Sequence, residues 1–200
     1  DPFDYFLIEY GNHFPIKGIN NLTQFIELLE SKGKKYGFLS HGSDIRIPAL
    51  HQSIHSDSFH KYLNSELNGI LTVVSESNLN IIKSSGHKHF VTTTDLVKMD
   101  TDAVIAPLVV DSRFFRNPIR KSGKILKFFH HSSNREVKGS DAIDNCLNQL
   151  HEKGKIDYRH FTSKVSNSQM VKEFSKIDCV VDMLGCGSPG VTTLEGLASG

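Results

Sequence analysis

The stretch ILKFFHHSSNREVKGSDAIDNCLNQLHEKGKIDYRHF, residues 125–161, decides the fold class. It reads as a strand over Ile125–His130, a polar turn, a helix over Ser140–Lys153 and a second strand over Ile156–Phe161. Two strands separated by a helix of ten or more residues make a parallel βαβ unit. The alternation continues downstream with a helix over Ser166–Ser175, a strand over Cys179–Leu184 and a helix over Val191–Ser199.

Toward the N-terminus the same alternation is looser. Strands are expected at Tyr5–Glu9, Tyr36–Ser40, His89–Thr93 and Ala103–Ala106, and the run Gly69–Ser75 reads as a buried strand followed by a short helix over Glu76–Ser84. Leu22, Phe25, Ile26, Leu28 and Leu29 give Asn20–Glu30 close to helical spacing, with Ser31-Lys32-Gly33 as its stop. Pro107–Gly123 is rich in proline and charge and separates the two blocks. The expectation is an α/β protein of two parallel-sheet domains, 1–112 and 124–200, joined by a linker over 113–123. The chain begins almost within a strand and stops directly after a helical pattern, so both domains are expected to be incomplete.

Composition narrows the function classes. Of 200 residues 38% are hydrophobic and 22% charged, which excludes collagen-like and broadly disordered chains. Lys+Arg 23 against Asp+Glu 22 leaves a formal charge of +1, so no global field recruits nucleic acid. The longest nearly unbroken apolar run, Ala103–Val110, falls far short of the ~18–20 residues of a spanning helix. Cys146, Cys179 and Cys186 are odd in number and lack CxxC spacing, which suggests buried thiols in a reducing, cytoplasmic compartment.

Ligands of open parallel sheets bind beyond the carboxyl ends of the strands. Two such ends carry chemistry in the second block. HHSSNREVKGSD (130–141) brings Arg135, Lys138 and a glycine to a helix start, and GCGSPG (185–190) lies between a strand and the last helix. Glycines let backbone N–H groups approach a ligand, and a helix N-terminus favours an anion. Gly187, Ser188 and Gly190 with Arg135 and Lys138 could therefore hold a pyrophosphate. The plainer alternatives are solvated loop charges, a tight connection, and Ser140 or Asp141 as a helix N-cap. Gly185-x-Gly187-x-x-Gly190 also matches the dinucleotide fingerprint, which keeps an NAD(P)-dependent oxidoreductase open.

In the first block, His41, Asp44 and Arg46 gather a base, an acid and an anion clamp in one loop, suited to group transfer or to a polar turn. His51, His55 and His60 have near-helical spacing but no completing ligand set, so surface histidines are expected there and no metal site.

HHSSNREVKGSDAI (130–143) resembles the H-x-P-S-N-R-x-x-K-G-T-D segment of group 1 retaining glycosyltransferases of the GT-B type. IDCVVDMLGCGSPGVTTLEGLASG (177–200) is similar to the same family's D-x-x-V-D-x…G…E-A-M-A-x-G signature, and FLSHGSDIR (38–46) to its H-G-S-D-x-R turn. TVVSESNL (72–79) and APLVVDSRFF (106–115) are similar to its strand–turn and linker segments. The resemblance implies two Rossmann-like domains facing across a cleft, and transfer of a sugar from a nucleoside-diphosphate sugar to a glycan or glycolipid acceptor with retention. It implies that Arg135, Lys138, Gly187, Ser188 and Gly190 bind the donor diphosphate and Glu195 its ribose. His41, Asp44 and Arg46 would serve the reacting sugar and the acceptor. Neither a cofactor nor a metal is implied, and the location would be cytoplasmic, with peripheral association at the inner membrane face. Relatives often carry a second Glu eight positions before the one matching Glu195, where this chain has Gly187. A chain lacking both ends is expected not to turn over by itself. A non-catalytic nucleotide-binding module of the same fold is the alternative.

Overall fold

The computed structural model describes residues 2–12, 15–115, 123–160 and 166–200, and it is an α/β protein with two all-parallel sheets. The chain divides into two compact units. One comprises the residues through Ile54 together with Asn64–Leu108, and the other comprises His55–Leu63 together with Val109–Gly200. Residues 116–122 of the expected linker lie outside the described residues, as does Phe161.

In the first unit, β1 (Tyr5–Glu9), β2 (Lys35–Ser40), β3 (His89–Val91) and β4 (Val104–Ile105) lie side by side in chain order. The helix α1 (Leu22–Ser31) starts where the Asn21 side chain accepts the Gln24 N–H at 2.9 Å. Its buried residues Leu22, Phe25, Ile26 and Leu29 follow i, i+3, i+4, i+7 and pack with Ile8, Phe38 and Val91 of the strands. The helix α2 (Pro48–Ile54) follows the turn after β2, and α3 spans Ser65–Ser85.

The last of these corrects the expected strand at Gly69–Ser75. That run lies inside a 21-residue helix, capped at one end by Asn64 accepting the Leu67 N–H at 2.8 Å and at the other by Gly86 with φ 67°. Burial follows the helical repeat through Ser75, Leu79 and Ile82, while Ile70, Val73 and Val74 are exposed. A second correction concerns the histidines. His51 and His60 are buried, not on the surface. Of the thiols, all expected to be buried, Cys186 is buried, Cys179 is half-buried and Cys146 is exposed.

In the second unit the strand order is β6-β5-β7, with β5 (Leu126–His130) between β6 (Ile156–His160) and β7 (Cys179–Val180). Successive residues of a strand face opposite sides of the sheet. Phe128 packs with Ile143 and Leu147 of α6 (Ser140–Glu152), and Phe129 packs with Met170 and Phe174 of α7 (Asn167–Phe174). Ala198 of α8 (Val191–Ala198) lies on the Phe129 side, so helices cover both faces. Two four-residue helices, α4 (Ser112–Phe115) and α5 (Arg135–Lys138), were not anticipated from the sequence pattern. The strand expected over Cys179–Leu184 is short because Val181 turns its carbonyl to the His130 ring and Asp182 turns its carboxylate to the start of α8. Among the described residues no helix is long and apolar enough to cross a membrane.

Candidate functional site

The strand order reverses at β5. The connection from β5 runs through α6 to β6 on one side, and the next connection returns past β5 to place β7 on the other. The loops leaving β5 and β7 therefore flank a topological switch point, where an open α/β sheet presents its crevice. Here the two loops are joined directly. The Leu184 N–H donates to the Lys138 carbonyl at 3.1 Å, and Lys138 Nζ meets Asp182 Oδ1 at 2.9 Å.

Asp182 is the centre of the arrangement. It is 8% exposed, and its second oxygen accepts the Gly190 N–H at 2.8 Å, the Thr193 N–H at 3.3 Å and the Thr193 hydroxyl at 2.8 Å. The first N–H groups of a helix have no partner within the helix. Gly190, at the N-cap of α8, has no side chain to supply one. Asp182 supplies the acceptor from eight residues upstream. Burial pushes its pKa up, but the Lys138 ammonium, the Thr193 hydroxyl and the Gly190 N–H together hold it below the ordinary carboxylate range.

Glu195, on the same helix, is shifted the other way, first by burial and then by the negative charge of Asp182. Burial and charge alone act on its carboxylate, which has no hydrogen-bond partner among the described residues. His131, beside the β5 end, is held below the usual imidazole value by burial and by the charges of His130 and Lys138. Gly187 and Gly185 adopt φ of 77° and 71°, the left-handed region that the turn requires.

Arg135 faces a different set of partners. One guanidinium nitrogen donates to Asp141 at 2.7 Å and to Asp144 at 2.6 Å. Tyr158 also donates its hydroxyl to Asp144. Lys138, Gly190 and Glu195 thus gather around Asp182, while Arg135 belongs to the carboxylates of α6. Ser140 is the first residue of that helix and Gly139 its N-cap. Its hydroxyl bonds His130 Nε2 at 2.8 Å.

No protein-family model matches this chain, and no curated protein matches it. The chemistry must be read from the residues themselves.

In the first unit, Asp44 is 1% exposed and closes the turn after β2, one oxygen accepting the His41 N–H at 3.1 Å and the Gly42 N–H at 2.7 Å. Its other oxygen has no hydrogen-bond partner among the described residues. Arg46 is buried and paired with Asp95, Nε to Oδ2 at 2.8 Å. His41 is the accessible member of the trio, stacked on Tyr10 and 3.9 Å from the Glu9 carboxylate. Asp44 and Arg46 therefore shape the loop, and His41 is presented by it. Among the described residues no group of three or more His, Cys, Asp or Glu is arranged to hold a metal ion.

The carboxylate that organises the second loop, Asp182, was missed in the sequence. Its signal was present: an acid at the end of an apolar strand, eight residues before the glycine that opens a helix.

Proposed function

We propose that the carboxyl edge of the second sheet binds the diphosphate of a nucleoside-diphosphate sugar, and that the protein is a retaining glycosyltransferase of the GT-B class. One observation carries the proposal. A buried carboxylate already sits on the α8 N-terminus and against Lys138, at the point where the strand order reverses. Donors that hold a carboxylate with two N–H groups, a hydroxyl and an ammonium suit a phosphate oxygen equally well.

The chemistry follows from charge development. When the bond between the sugar and the diphosphate breaks, negative charge accumulates on the departing phosphate. An ammonium and a helix N-terminus stabilise that charge most where water is excluded. Lys138 passes from Asp182 to the diphosphate, and the Gly190 and Thr193 donors follow it. Glu195, whose carboxylate accepts no hydrogen bond among the described residues, is the acceptor for ribose hydroxyls. Within the first unit the resemblance gives His41 a part in sugar transfer, with Asp44 holding its backbone N–H at 3.1 Å and Arg46 bracing the loop through Asp95. The marks of the sequence resemblance that carry this assignment are Lys138, Gly190, Glu195 and the His41 turn.

The test is a thermal-shift comparison of UDP, GDP, ADP and NAD on the folded chain, repeated with Lys138→Ala. One nucleoside diphosphate is expected to raise the melting temperature, and the variant to abolish the rise. Loss of one charge-assisted contact corresponds to about 1.5–3 kcal/mol, roughly ten- to a hundredfold in affinity. A response to NAD alone, insensitive to Lys138→Ala, would replace this proposal with the dinucleotide one.

A further inference from the structure

A separate pocket of about 690 Å³ lies within the second unit, well inside the size range of small-molecule sites. One wall is the excursion His55–Leu63, which contributes Asp57, Phe59 and Tyr62. The facing wall is the start of α6 and the helix before it, with Arg135, Glu136 and Asp141. Leu184 and Gly185 line it as well. The wall is fixed to the glycine turn by its backbone. The Phe59 N–H donates to the Gly185 carbonyl at 3.0 Å, and a Cβ at Gly185 would stand 2.4 Å from the Asp57 carbonyl oxygen.

The polar groups of this pocket differ in kind from those around Asp182. Three carboxylates stand beside a single guanidinium, so a phosphate meets net repulsion. An ammonium ligand would need acceptors only, and here Arg135 is a donor inside the set. A sugar hydroxyl is both donor and acceptor, and it uses a carboxylate and a guanidinium side by side. The remaining surface is apolar. Tyr62 is 78% exposed and Leu184 50% exposed, which offers an open ring and an aliphatic edge to the C–H face of a pyranose.

We propose that this pocket binds a neutral saccharide. Naming that saccharide as the acceptor of sugar transfer rests on the function proposed above; the binding itself does not. The pocket shares the Gly185 turn with the loop that opens α8, so a ligand here sits beside the anion site without occupying it.

The experiment is saturation-transfer NMR on the whole chain with maltose, cellobiose, lactose and chitobiose, with UDP, GDP and ADP run in parallel. At least one disaccharide is expected to receive saturation, and the signal to fall at least fivefold in Tyr62→Ala and in Glu136→Gln. Both residues are exposed, so circular dichroism should show both variants folded. A nucleoside-diphosphate signal should persist in Tyr62→Ala and vanish in Lys138→Ala. Silence from all four disaccharides, or a saccharide signal unchanged in both pocket variants, overturns the proposal. Displacement of the saccharide by a nucleoside diphosphate that loses its own signal in Lys138→Ala overturns it too, because the two ligands would then share the anion site. Saccharide binding with no nucleoside-diphosphate binding would keep this inference and remove the donor assignment, so the two proposals fail separately.

Discussion

Asp182 joins Lys138 to the first turn of α8, one carboxylate oxygen on the ammonium at 2.9 Å and the other on the Gly190 N–H at 2.8 Å. In Asp182→Asn the ammonium loses its counter-charge in a half-buried place, and the helix keeps only a neutral cap. The expected cost is about 1–3 kcal/mol, read from urea denaturation. The same variant should bind inorganic pyrophosphate more tightly than the native chain, seen as a larger rise in melting temperature. Weaker pyrophosphate binding in Asp182→Asn would show that the carboxylate is not a competitor for that site.

Acid should separate the two carboxylates of this region. Asp182 has a folded-state pKa below its unfolded value, so its contribution to stability is complete above about pH 4 and lost as pH falls through the lower folded value. Glu195 has the opposite sign. Burial and Asp182 raise its pKa, so its ionised form costs stability, and that cost is absent below about pH 4 and complete above the raised folded value. Glu195→Gln should therefore be more stable than the native chain at pH 7 and lose that advantage at pH 4. Equal effects at both pH values would show that the Glu195 carboxyl is not perturbed by folding.

His130 ties three elements together. Its Nδ1–H donates to the Val181 carbonyl at 2.8 Å, and Nε2 bonds the Ser140 hydroxyl at the start of α6. Truncation to alanine leaves a buried carbonyl and hydroxyl without partners and opens a cavity, a loss of about 2–4 kcal/mol. Ser140→Ala should cost about 1 kcal/mol. The double variant should cost less than the sum, because the two changes remove one shared bond. Strict additivity in chemical denaturation would deny the coupling.

Gly185 and Gly187, the two left-handed glycines of the turn before α8, make different demands. At Gly185 an added Cβ would meet backbone, the Asp57 oxygen at 2.4 Å and the Phe59 nitrogen at 2.7 Å. At Gly187 it would meet a side chain and not backbone, the His55 ring at 2.5 Å. Both substitutions pay the left-handed strain of about 1–2 kcal/mol. Gly185→Ala should cost at least 1 kcal/mol more than Gly187→Ala, since overpacking against backbone adds about 1–3 kcal/mol. Melting curves that rank them the other way would contradict the fit of 55–63 against this turn.

Arg46 and Asp95 form a buried ion pair whose side chains are 5% and 1% exposed. Arg46→Ala takes the counter-charge from a buried carboxylate and should cost about 3–5 kcal/mol. His41→Ala, at the accessible end of the same loop, should change melting by little and, on the function proposed, lower sugar transfer by much. A large stability loss in His41→Ala would make it a structural residue like its neighbours.

The parallel α/β architecture was legible wherever apolar periodicity and burial agree, as in α1, where Leu22, Phe25, Ile26 and Leu29 all face the sheet. It failed at residues 69–75 because the β-branched Ile70, Val73 and Val74 are on the exposed face of a helix, and the buried positions are Ser75, Leu79 and Ile82. There the caps at Asn64 and Gly86 carried the better signal. Lys138 and Gly190, singled out in the loops that follow strands, and Glu195, singled out inside the final helix, come together around Asp182. The sequence could not separate Arg135 from Lys138, because which carboxylate each meets depends on Asp141, Asp144 and Asp182, residues brought together only by folding.

The excursion 55–63 makes the second unit discontinuous in sequence: the backbone passes from one unit to the other after Ile54, after Leu63 and after Leu108. A cut at residue 108 therefore does not release an intact second unit, because the strand of chain that hydrogen-bonds Gly185 stays with the other piece. During synthesis Phe59 must wait for more than a hundred further residues before its partner exists. The contact is one of high sequence separation, and the entropy of closing so long a loop weighs against it until both its ends are in place.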